Sequence, residues 1–124
     1  MRVLLGGAYQ GKLDYAKENY GIEDCDVFEC SEDELDFSKK CIDNIERFAL
    51  ACVRAGKEPL DYIKENSDKL ENSVIICDDV FCGVVPIQED LRAWREAAGR
   101  MMNWLTPRAQ SVVRMFCGLP QVLK

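Results

Sequence analysis

The feature that most constrains this chain lies near its start. There the apolar run Val3-Leu4-Leu5 breaks into Gly6-Gly7-Ala8-Tyr9-Gln10-Gly11-Lys12. A strand that turns sharply into a helix needs a backbone free to curl, and glycine supplies that freedom. The spacing Gly6-x-x-x-x-Gly11-Lys12 is that of a phosphate-binding loop. In such a loop successive N–H groups point inward at phosphate oxygens, and the following helix offers its positive N-terminus to the same charge. Lys12 then reaches the β and γ phosphates as a mobile point charge. The spacing predicts a nucleoside triphosphate, ATP or GTP, held by Gly6, Gly7, Ala8, Tyr9, Gln10, Gly11, Lys12 and Leu13. The plainer alternative is a glycine turn with a solvated lysine.

One position departs from the pattern. Leu13 stands where Ser or Thr ordinarily gives a hydroxyl to Mg²⁺. Leucine has no donor atom, so Mg²⁺ has to rely on phosphates, water and a carboxylate, and weakened metal binding is expected. The carboxylates are in view at Asp78-Asp79, which follow the fully apolar run Val74-Ile75-Ile76-Cys77. Such a run suits a central parallel strand buried on both faces. An acidic residue at its end can hold a metal or orient a nucleophile. Because side chains alternate along a strand, one of the two should face the phosphates. Lys12, Asp78 and Asp79 are thus the candidate catalytic residues, with Asp78 and Asp79 also the candidate metal ligands. Glu29, ending a second candidate strand at 26–30, is a further carboxylate for the same edge.

The rest of the chain alternates between strand and helix signals. Residues 1–5 read as a strand and 11–20 as a helix stopped by Gly21. Cys41, Ile42, Ile45, Phe48, Ala49, Cys52 and Val53 fall on one helical stripe ended by Gly56. Pro59 opens a further helix with Leu60, Ile63 and Leu70 on its apolar side. Gly83 to Pro86 forms a turn, a long helix covers about 88–105, and Pro107 ends it. Ser111 to Phe116 is a last strand, and Gly118-Leu119-Pro120 a turn. This order predicts an α/β fold, a P-loop NTPase-like three-layer sandwich with a mostly parallel sheet.

A chain of 124 residues fits one domain spanning 1–124. A net charge of −6 argues against nucleic-acid binding, which needs a basic footprint. The seven cysteines form no Cys-x-x-Cys pair and the chain has no histidine, so a zinc site is not expected. Thiols within apolar runs act as small hydrophobes and point to a reducing cytoplasm. No secretory segment and no membrane span is expected.

With both motifs in place the chain resembles the bifunctional adenosylcobinamide kinase and adenosylcobinamide-phosphate guanylyltransferase family. Gly6-Gly7-Ala8-Tyr9-Gln10-Gly11-Lys12 is similar to that family's Gly-Gly-Ala-Arg-Ser-Gly-Lys-Ser. Asp78-Asp79-Val80-Phe81-Cys82-Gly83-Val84-Val85-Pro86 resembles its Asn-Glu-Val-Gly-x-Gly-Val-Val-Pro. Arg95-Glu96-Ala97-Ala98-Gly99-Arg100 and the ending Cys117-Gly118-Leu119-Pro120-Gln121-Val122-Leu123-Lys124 resemble its Arg-Asp-x-x-Gly-Arg and Ala-Gly-Leu-Pro-x-x-Leu-Lys. The resemblance implies a P-loop fold that binds ATP or GTP, phosphorylation of a corrinoid alcohol, and a homo-oligomer, commonly a trimer. The family's guanylyl transfer runs through a histidine, and a chain without one is expected to lack it. The alternative is a nucleotide-binding or regulatory module whose chemistry is lost.

Overall fold

The computed structural model describes residues 1–80 and 87–124. Its six strands make one sheet: β1 (Arg2–Gly6), β2 (Val27–Glu29), β3 (Cys41–Asp43), β4 (Val74–Asp78), β5 (Ser111–Phe116) and β6 (Leu119–Val122). Across the sheet they run β2-β3-β4-β1-β5-β6. Every neighbouring pair is parallel except β5 and β6, which are antiparallel. The connections carry four helices: α1 (Lys12–Tyr20), α2 (Ile45–Arg54), α3 (Pro59–Glu65) and α4 (Glu89–Arg108).

A parallel sheet has to bury both faces, and alternation along the strands divides the labour. Leu4, Ile76, Val113 and Met115 pack with Ala16 of α1 on one face. Val3, Ile75, Cys77 and Val112 pack on the other with Phe48 and Cys52 of α2, Ile63 of α3, and Met101 and Leu105 of α4. The result is three layers with an apolar filling on each side of the sheet. β4 and β1 sit in the middle, as the unbroken run Val74–Cys77 demands; all four of those residues are buried.

Several expectations need correction. Cys41 and Ile42 are the start of a strand, although they keep helical phase with Ile45 and Phe48. Asn44, in the left-handed conformation at φ 57°, separates β3 from α2. Leu70 is buried, but in a short 3-10 turn (Ser67–Leu70) after α3 has ended. Pro107 does not end α4, which continues to Arg108. A proline in the last turn removes one donor there, and the Ala109 N–H still reaches the Leu105 carbonyl at 3.1 Å. The final turn is Cys117-Gly118, both at positive φ, and Leu119-Pro120 belong to β6. The expected turn at Gly83 to Pro86 lies outside the described residues.

Cys30, Cys41, Cys52 and Cys77 are buried, as apolar thiols should be. Burial pushes the Cys30 and Cys41 thiols up to about 12, so they remain protonated. Among the described residues no helix is long and apolar enough to cross a membrane.

Candidate functional site

β1 ends at Gly6 because β5 lies against it. Gly6 has φ 152°, and a Cβ there would fall 2.6 Å from the Met115 carbonyl oxygen. The chain then turns away from the sheet, passes Gly11 at φ 87°, and enters α1 directly at Lys12. No side chain caps this helix. Its first N–H groups therefore stay open, as at any uncapped N-terminus. Among the described residues, the N–H groups of Ala8, Tyr9, Gly11, Lys12 and Leu13 have no hydrogen-bond acceptor.

Lys12 is 6% exposed, an unusual degree of burial for a lysine. Its Nζ donates to the Gly7 carbonyl at 2.7 Å and meets Asp78 Oδ1 at 2.7 Å. The ammonium has three donors, so one is left for a further acceptor. Beside it opens a cleft of about 390 Å³, lined by the loop, Asp14, Asp43, Asn44, Arg47 and Asp78. Arg47 forms an ion pair with Glu29 at 3.1 Å, so Glu29 reaches this edge through the arginine.

Asp78 and Asp79 take different places at the end of β4. Asp78 enters the cleft beside Lys12, whereas the Asp79 N–H is bonded to the Gly6 carbonyl at 2.8 Å and ties the end of β4 to the start of the loop. Ala8, Tyr9, Gln10, Gly11, Lys12 and Leu13 all line the cleft. Tyr9 stands at the loop's tip, fully exposed and at φ 60°. Leu13 also packs against the apolar cluster beneath α1. Trp104 lies elsewhere, in a second cavity at the opposite end of the strands.

Two carboxylates escaped the sequence reading. Asp43 ends β3, the strand mistaken for helix, and it joins Asp78 in the cleft. Burial, followed by the negative charges of Glu29 and Asp78, raises its carboxyl above the ordinary value, while the Asn44 N–H and Lys12 oppose the rise. Glu46 lies in the first turn of α2 and is 3% exposed. Its Oε2 accepts the Asp78 N–H at 3.1 Å, and its backbone carbonyl accepts the Trp94 indole N–H at 2.7 Å. Burial above all, with the Asp78 charge adding to it, pushes the Glu46 carboxyl up to about 7. The signals for Asp43 were the apolar doublet Cys41-Ile42 before it and the asparagine after it.

The arrangement therefore combines open amides, a helix N-terminus and a lysine with facing carboxylates. The first three attract an anion and the last attract a cation. No protein-family model matches this chain, and no curated protein matches it.

Proposed function

We propose that this chain is a P-loop protein that binds ATP or GTP at Gly6–Lys12, with a divalent cation between the phosphates and the facing carboxylates. The observation that carries the reading is Lys12 itself: nearly buried, 2.7 Å from Asp78, with a donor in reserve at the lip of an uncapped helix. A carboxylate pair so close to a phosphate site repels phosphate unless a cation lies between them. The donors suit Mg²⁺, which prefers carboxylate oxygens and keeps several waters. Asp43 and Asp78 would hold it, and the cation would supply charge neutralisation for the phosphates. Burial, with the Glu29 and Asp78 charges adding to it, raises the Asp43 carboxyl, and a cation beside it would favour the ionised form.

Phosphoryl transfer asks mainly for positioning and charge stabilisation. Lys12 and the loop amides supply both at the phosphates, and the cleft toward Asn44 and Arg47 leaves room for an acceptor. The resemblance at Asp78 to Lys124 makes that acceptor the hydroxyl of a corrinoid alcohol, in the manner of an adenosylcobinamide kinase. Guanylyl transfer through histidine has no residue to carry it. The same resemblance suggests a homo-oligomer, and the cysteine pattern a cytoplasmic protein.

A second reading rests on one observation. Leu13 gives the metal no hydroxyl and is committed to the apolar cluster under α1. A protein that senses nucleotide without consuming it would carry such a residue. Calorimetry with ATP and GTP, with and without Mg²⁺, followed by phosphate-transfer assays on a corrinoid alcohol, separates the two. Kinase activity predicts Mg²⁺-dependent transfer to the alcohol. Tight, metal-independent binding with no transfer selects the sensor, and no binding of either nucleotide sinks both.

A further inference from the structure

We propose that the Cys117–Gly118 turn, with Pro120 beside it, is the ledge on which the ribose and base of the nucleotide lie. The inference rests on the nucleotide reading above and gives the bound triphosphate a direction. The sheet order is what sets it. β4 flanks β1 on one side and β5 flanks it on the other. Asp78, Asp43 and the cleft all belong to the β4 side, and Lys12 is drawn to that side by Asp78. Lysine in such a loop reaches the terminal phosphates. The γ end of the chain of phosphates therefore points toward β4, and the nucleoside end leaves on the β5 side.

What waits there is a built surface. The turn after β5 is two residues long, with Cys117 at φ 51° and Gly118 at φ 78°. It is fastened to the loop: Gln10 Oε1 accepts the Cys117 N–H. Gly11 lies so close that a Cβ on it would be 3.8 Å from the Gly118 Cα. Loop and turn form one continuous shelf. Pro120 pairs with Met115 and Val122 with Val113, so both project on the α1 face of the sheet. Both are exposed, Val122 at 71%. A flat, weakly polar base gains from apolar contact with Pro120, and the glycine at 118 lets it approach the backbone. Gln10 fixes the spacing between phosphate and base, since it belongs to the loop and holds the turn.

Cys117 is an exposed thiol on this shelf and reports on it without mutation. Its alkylation by iodoacetamide, measured by peptide mass spectrometry, should be compared in the presence of ATP, GTP and inorganic tripolyphosphate, each bound to saturation. Tripolyphosphate has the anion but no nucleoside. The better-bound nucleotide should slow alkylation at Cys117 by about ten-fold, while tripolyphosphate leaves it within about two-fold and exposed Cys25 serves as the unchanged reference. Two results overturn the ledge: a nucleotide that binds by calorimetry yet leaves Cys117 equally reactive, or equal protection by tripolyphosphate. Failure of all three anions to bind overturns the nucleotide reading with it, and calorimetry distinguishes that case from the others.

Discussion

The two ends of the sheet each open onto a cavity, and the contrast between them is one of chemistry rather than size. The cavity at the amino end is the larger, about 480 Å³, and has Leu70, Trp104, Leu105 and Arg108 among its walls. Its two cationic groups are held by the protein itself. The Arg108 guanidinium lies 4.0 Å from the Trp104 ring centre, and the chain's amino group is bonded to the Glu71 carbonyl. α4 arrives there with its C-terminus, the negative end of the helix dipole. At the carboxyl end α1 departs with its N-terminus open, and Lys12, Asp43 and Asp78 converge on a smaller space. In a parallel βα unit the strand hands over to a helix at its carboxyl end, as β1 does to α1 and β3 to α2 here, so unpaired N–H groups gather there. Volume alone ranks the two ends in the opposite order to their chemistry.

Substitutions at the two ends sharpen this contrast. Lys12→Ala should weaken ATP or GTP binding by about a thousand-fold, roughly 4 kcal/mol by calorimetry. Trp104→Ala, at the other end, should leave that affinity within about two-fold. Comparable losses from both would erase the distinction. Gly6→Ala is expected to cost about 3 kcal/mol of stability in urea unfolding, since its Cβ meets the Met115 carbonyl oxygen and no flexible side chain can yield.

A third experiment uses pH. The Glu46 carboxyl is raised from 4.5 to about 7 in the folded chain, so the folded state binds its proton more tightly than the unfolded state does. Its contribution is fully present below pH 4.5 and is lost as pH rises through about 7. Glu46→Gln should remove that part of the pH profile, roughly 2 kcal/mol after allowing for partial solvation. An unchanged slope in the variant would assign the profile to other groups. The smallest effect should come from Arg108→Ala, about 0.5 kcal/mol of stability with nucleotide affinity unaltered.

What the sequence made legible follows the strength of local signals. Val74–Cys77 is apolar at every position, of strand length and rich in β-branched residues, which suits a strand buried on both faces, so β4 was evident. The Gly6–Lys12 spacing marked the loop, and Asp78 followed from the end of β4. β3 was hidden because three residues are too few to set a period, and Cys41 and Ile42 happen to continue the stripe of α2. Losing β3 meant losing Asp43. Glu46 was hidden for another reason. A glutamate in a first helical turn reads as solvated, and only its place beneath the end of β4 buries it. β6 is hard to see in the sequence because Gly118-Leu119-Pro120 carries turn residues. The strand accommodates the proline since its partner, Met115, occupies a position that exchanges no hydrogen bonds across the ladder.

That proline has a consequence for how the molecule behaves in a crowd. β6 is the sheet's outer margin on its side, and Pro120 turns a blank nitrogen outward where another chain would seek a donor. The opposite margin, β2, is only three residues long. Both rims are thus poor templates for lateral growth, and concentrated protein should resist fibril formation without any help from a binding partner.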